Sequence, residues 1–299
     1  LDAMDAIRLS PPRRLSLPVD NRWGAGEMSV LDFGDAKRPV DLVFVHANGF
    51  NAMTYRSLLA PLSGTLRIWA PDLRGHGRTT LPAVAEGRRG WADHRDDLIA
   101  LLDALDGPPA VLAGHSMGGT SALLAAAERP ERVSKLVLLD PVIWRRWVVM
   151  AFHLPMLDRL ASRIPLVAGA RRRRARFDSR EQAMAAYSGR GAFRGWPEIM
   201  LADYLADGLI ETDAGLTLAC PPEWEASNYA AQSHDPWRAL RRLERPVHIL
   251  KGEAGSTCHV PEHPRGLPHV TVQTVHGGTH FFPMLQADVA RDALFDAAV

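Results

Sequence analysis

From residue 41 onward the chain alternates short apolar runs, bounded by Gly, Pro and Asp, with longer stretches of helical spacing. The runs DLVFVH (41–46), LRIWA (66–70), PAVLAG (109–114), VSKLVLLD (133–140), PVHILKG (246–252) and HVTVQTV (269–275) have the length and bounding residues of buried strands. Between them, WADHRDDLIALLDAL (91–105) and SALLAAAERP (121–130) carry apolar residues at helical intervals. Strand, helix, strand in repeated order predicts an α/β fold: a mostly parallel sheet with helices on both faces. Before residue 41, RRLSLPV and GEMSVLDFG read as an antiparallel opening pair.

The rhythm breaks between Val142 and about Ser233, where no strand pattern is clear and Trp, Met, Pro and Gly are scattered through the text. Such a stretch is too long for a structureless loop in a compact domain, which predicts a mainly helical insertion. The expected organisation is a core of residues 1–141 and 234–299 interrupted by a helical cap over 142–233.

Composition adds exclusions. With 299 residues, 46% apolar and 23% charged, the chain is an ordinary globular one, and a formal net charge of +1 gives no overall field favouring nucleic acid or an anionic membrane. The run RRRRAR (171–176) is read as a solvated helix face in preference to a nucleic-acid patch. Cys220 and Cys258 stand in no metal or redox spacing and read as small half-buried residues of a reducing compartment. No apolar run approaches the roughly 18 residues of a membrane span, and the first residues lack a basic-then-apolar signal, so a cytoplasmic location is expected. Homodimerisation is left open.

The stretch LAGHSMGG (112–119) carries the most chemistry. An apolar strand meets Gly114-His115-Ser116-Met117-Gly118 and a helix-like run follows, the context in which a serine at the tip of a tight turn acts as nucleophile. Side chains at 114 and 118 would collide with the flanking strand and helix, and the helix dipole favours an anion formed beside Ser116. The bland alternative is a glycine-rich turn with an incidental serine.

Here the chain resembles the α/β-hydrolase fold superfamily, over roughly residues 25–141 and 234–299. FVHANGFNAMTYR (44–56) is similar to its oxyanion loop, PDLRGHGRT (71–79) to the loop after its fourth strand, and VHGGTHFFPML (275–285) to the segment carrying its catalytic histidine. The resemblance implies Ser116 as nucleophile and His280 as general base, with the backbone N–H groups of Asn48 and Met117 holding the oxyanion. Ala47 replaces the usual glycine, and the Asn48 side chain is a candidate further donor or a plain turn former. Of the twelve histidines, His276 reads as strand end, His115 as packing and His46 as a brace for the oxyanion loop. HVPEH (259–263) has the letters of a zinc motif, and His276 with His280 are four apart, but Pro261, Pro264, Gly277 and Gly278 argue against the helices a metal site would need. No cofactor or metal is expected.

The acid is the open position. In many relatives it lies three or four residues beyond the glycine that closes the strand like PVHILKG, but here those places are Gly255 and Ser256. Some members carry it at the end of the sixth strand, which here is Asp140, one strand over and ~4.8 Å away. Asp140 also reads as an ordinary Asp-Pro turn; Glu253 is the principal alternative, with Asp235 and Glu262 behind it. A serine at 116 excludes the dehalogenases and epoxide hydrolases of this fold, which use aspartate. The expected activity is cleavage of a carboxylic ester, lactone or thioester of apolar acyl or aryl character through an acyl-enzyme. Phe281, Phe282 and Trp144 are candidate substrate-binding residues, or packing between cap and core. Alternatives are a cofactor-free C–C bond hydrolase, a haloperoxidase, or a non-catalytic ligand-binding descendant.

Overall fold

The computed structural model describes residues 11–154, 164–213 and 215–299. The opening pair forms as expected: β1 (Arg13–Asn21) and β2 (Gly24–Phe33) run antiparallel. β3 (Leu42–Val45), β4 (Ile68–Pro71), β5 (Ala110–His115) and β6 (Val133–Leu139) follow, and after the insertion come β10 (Val247–Ala254) and β11 (Val270–Thr279). Together they make one eight-stranded sheet in the order β1-β2-β4-β3-β5-β6-β10-β11, parallel from β4 to β11.

Two-residue alternation explains why the central strands read as continuous apolar runs. Val43 and Val45 of β3, with Leu112 of β5 and Leu136 and Leu138 of β6, pack on one face against helix α1 (Ala92–Asp103) and helix α2 (Met117–Ala126). Leu42 and Phe44, with Val111, Ala113, Val137 and Leu139, face the opposite core, beneath the C-terminal helix Ala287–Ala298. Both faces are buried, so every position of β3, and of β5 up to Gly114, is apolar or small.

The insertion holds helices α3 (Arg146–Phe152), α4 (Pro165–Arg171), α5 (Arg180–Tyr187), α6 (Glu198–Gly208) and α7 (Pro222–Ala230). It also holds a small antiparallel sheet in the order β7 (Arg176–Phe177), β9 (Gly215–Leu218), β8 (Leu209–Thr212), which corrects the reading of a strandless segment. Strands of two to four residues are too short to show an alternation. The arginine run is corrected too. Arg171 ends α4 and pairs with Glu223 at the surface, but Arg173 is drawn inward, its guanidinium bonded to Glu225 and to the Tyr204 hydroxyl at 2.8 Å.

Beyond β4, Arg74 is almost wholly buried and grips Asp97 of α1 with two bonds, of 2.9 and 2.7 Å, while its third nitrogen donates to the carbonyls of Trp23 and Pro82. A buried ion pair is costly to break because the remaining charge has no partner. Arg74→Met is therefore expected to lower unfolding stability by about 3–5 kcal/mol in urea titrations monitored by circular dichroism.

Candidate active site

The site is assembled at the carboxyl edge of the sheet, where β5, β6 and β11 end side by side or one strand apart. Ser116 occupies the turn from β5 to α2 with φ 55° and ψ −122°, a strained conformation for a non-glycine residue. The glycines around it are dictated by space. A Cβ at 114 would lie 2.6 Å from the backbone of Gly118, and one at 118 would lie 2.3 Å from the His46 carbonyl oxygen. Met117 is the first residue of α2, so its N–H belongs to the helix end that has no intrahelical acceptor.

Asp140 follows β6 with φ 43° and is fully buried. Its Oδ2 accepts from His280 Nδ1 at 2.5 Å and from the Thr257 N–H at 3.0 Å; its Oδ1 accepts from the Gly252 N–H at 2.8 Å and the Ser256 hydroxyl at 2.6 Å. Burial alone would push this carboxyl upward, but the bonds from His280, Ser256 and Thr257 outweigh it and hold it at about 2. Its ionised form therefore supports folding at every pH above about 4, and that support drains away as the pH falls towards 2. The loop GEAGST, whose one carboxylate, Glu253, is engaged elsewhere, thus supplies donors to the carboxylate at the end of the neighbouring strand.

Glu253 goes elsewhere. It is half exposed, accepts the Gly277 N–H at 2.7 Å and stands 3.3 Å from His276 Nδ1. The two candidate acids are sorted onto two different histidines.

His115, buried inside the turn, does more than pack. Its Nε2 faces the His280 carbonyl at 2.8 Å and must donate, so its Nδ1 accepts from the Tyr55 hydroxyl at 2.7 Å, whose oxygen in turn accepts the Ala47 N–H at 3.2 Å. One buried ring thereby ties the histidine loop to the loop after β3. Burial drives His115 down to about 3, so it remains neutral and keeps one tautomer.

The loop after β3 is held by two further imidazoles. His46 Nε2 accepts the Leu73 N–H at 2.9 Å, leaving Nδ1–H to donate to the Ala47 carbonyl at 2.7 Å, which is the expected brace. His76 Nε2 accepts the Gly49 N–H at 3.1 Å and its Nδ1 donates to the Arg74 carbonyl. The Asn48 side chain is a correction. It neither points free as a donor nor merely forms a turn: its Nδ2 donates to the Glu225 carbonyl at 3.0 Å and its Oδ1 accepts from Asn228 Nδ2 at 2.9 Å, both on α7. Nothing in the local text marks Tyr55, Ser256, Thr257 or Asn228 for these contacts.

Of the three aromatic candidates, Phe281 is at the site. Its ring lies 5.1 Å from that of His280 and about 6 Å from Phe50 of the loop and Trp196 of the insertion. Phe282 is fully buried in the core beneath the sheet, because it begins the turn of helix that packs there. The Trp144 ring stacks on His259 at 5.6 Å and its N–H donates to Gln232. The apolar stretch in which it lies runs past residue 154, and positions 155–157 fall outside the described residues. Residues 259–263 form no helix, so His259 and His263 are not set one turn apart on a helix face.

The sequence profile of the alpha/beta hydrolase family matches residues 42–293. Over 94% of both chains the sequence is 28% identical to the magnesium-chelatase 30 kDa subunit of Rhodobacter capsulatus. It is 25% identical to the 2-(acetamidomethylene)succinate hydrolase of Mesorhizobium japonicum, over 85% of this chain and 86% of the relative. The crystal structure of E-2-(acetamidomethylene)succinate hydrolase superposes with a TM-score of 0.72 at 24% identity, covering 95% of this chain and 98% of the other. A thermophilic esterase from Thermogutta terrifontis superposes at 0.66 with 21% identity, over 96% of this chain and 100% of the other.

The His280–Asp140 contact has a direct spectroscopic signature. A far-downfield proton resonance from the bonded imidazole N–H is expected in the wild type and in Glu253→Gln, and its loss in Asp140→Asn; persistence in Asp140→Asn would contradict the pairing.

Proposed function

Because the chain belongs to the alpha/beta hydrolase family, we propose that it is a serine hydrolase that cleaves a carboxylic ester, lactone or thioester through an acyl-enzyme. The observation that carries this reading is the 2.5 Å bond from His280 Nδ1 to a buried, ionised Asp140, made beside a serine held at a strained strand-to-helix turn. With Nδ1–H committed to Asp140, the lone pair of His280 is on Nε2, the nitrogen that takes the Ser116 proton. Ser116 Oγ attacks the carbonyl carbon, and the Asn48 and Met117 N–H groups hold the resulting oxyanion. The imidazolium formed is stabilised by Asp140 and returns its proton to the leaving alcohol or thiol. A water activated by the same histidine then releases the acid and regenerates Ser116.

The insertion over 142–233 serves as the cap. Its Trp196 and the loop's Phe50 pack around Phe281, whose ring borders that of His280, which supports an apolar acyl or aryl group as substrate. A panel of p-nitrophenyl esters and lactones of graded size tests the reading. Turnover is expected to vanish in Ser116→Ala and to fall about 10³–10⁴-fold in kcat in Asp140→Asn. Glu253→Gln should stay within about twofold of wild type, as a side chain making no contribution to the transition state. Wild-type activity in Asp140→Asn would overturn the assignment of the acid.

A second reading rests on the likeness to the magnesium-chelatase 30 kDa subunit, which spans 94% of both chains: the protein serves beside a magnesium chelatase. Stable co-elution with purified chelatase subunits from its own source, by wild type and Ser116→Ala alike, would favour that role over hydrolysis.

A further inference from the structure

Among the bonds that fasten the loop proposed to hold the oxyanion to the insertion, one comes from a buried side-chain amide. Asn228 of α7 is wholly inaccessible, and its Nδ2 donates to Asn48 Oδ1 at 2.9 Å. On its other side, Asn228 Oδ1 accepts from Arg88 Nη1 at 2.5 Å and from His94 Nε2 at 3.0 Å. Two N–H donors on that oxygen fix the sense of the amide: turned over, its NH2 would face Arg88 and His94 and its oxygen would face the oxygen of Asn48. Arg88 is itself locked by a two-bond pairing with Asp93 on α1, at 2.8 and 2.9 Å. A chain of oriented groups therefore runs from the core helix through Asn228 to Asn48.

At its far end, Asn48 is gripped twice, since its Nδ2 also donates to the Glu225 carbonyl one turn earlier on α7. The neighbouring amides are anchored in the core, Ala47 on Tyr55 and Gly49 on His76. The Asn48 peptide lies between them, and its side chain bonds to Glu225 and Asn228 of the insertion. We propose that Asn228 is a positioning residue that sets the Asn48 N–H through the Asn48 side chain, so that the oxyanion-binding pair is complete only with α7 seated. This rests on the serine-hydrolase reading above.

The test is kinetic. Asn228→Asp keeps the shape and the acceptor for Arg88 and His94 but replaces the donor facing Asn48 with an oxygen. It is expected to lower kcat about 10- to 100-fold with KM changed less than about twofold, as loss of an interaction made only in the transition state requires. Affinity for a trifluoromethyl ketone analogue, which forms a tetrahedral oxyanion on the serine, should fall by the same factor. Affinity for a non-reactive ether analogue should not change. Asn48→Ala, which deletes the clamped side chain and keeps the N–H, should show the same pattern, and the double variant should be no slower than the slower single. Thermal melts establish that each variant is folded at the assay temperature; should Asn228→Asp not fold, Asn48→Ala carries the same test. Unchanged kcat in a folded variant, a rise in KM alone, or losses that multiply in the double variant would overturn the coupling while leaving the hydrolase reading intact. Absence of ester turnover in the wild type would overturn both.

Discussion

A carboxylate that is buried and still charged is the interaction around which the site is organised. Asp140 is out of contact with solvent, and an ion removed from solvent is stable only when its oxygens are filled by donors. Two backbone N–H groups, a serine hydroxyl and an imidazole N–H fill them. Three consequences follow from that one requirement. The loop after β10 must curl over the end of β6, with Gly255 at φ 64° permitting the turn. His280 must present Nδ1 inward, and Asp140 itself must accept a positive φ, which the bonds around it hold in place.

The other histidines near the site solve the opposite problem. His46, His76 and His115 are all buried, and burial pushes each far below the ordinary imidazole value. Neutral rings then act as two-way connectors, accepting from an N–H or O–H on one nitrogen and donating to a carbonyl from the other. His46 and His76 pin the loop after β3 to the loop after β4. His115 pins that same region, through Tyr55, to the backbone of His280. The chemistry separates along burial: the connecting rings are sealed and neutral, whereas the ring of His280 faces a carboxylate and keeps some contact with solvent.

The insertion is built into this scaffold. Asn51 donates to the Tyr204 carbonyl on α6, the Trp224 indole donates to the Arg74 carbonyl, and α7 holds Asn48 from both ends. The loop after β3 is therefore a shared part of core and insertion, and its Phe50 packs tilted or edge-on against insertion aromatics. A shift of α7 would move Asn48 with it.

The features visible in the sequence are those decided within a few residues or by one repeating pattern. The central strands announce themselves because both faces of a parallel sheet are apolar, and the turn at Ser116 because no side chain fits at 114 or 118. Asp140 stood out by its position at the end of a strand beside that of Ser116, yet strand order alone left Glu253 as a rival. The contacts that set the two apart run across 140 residues of chain, from Asp140 to His280, and across 24, from Glu253 to Gly277. The same holds for Asn48, whose partner is 180 residues away, and for Trp144 and Phe282, whose letters are apolar but whose direction is set by packing. Local pattern determines which elements form and which chemistry is on offer. Only the folded arrangement decides which polar atom meets which, because burial forces each donor and acceptor to find a partner wherever the chain has brought one.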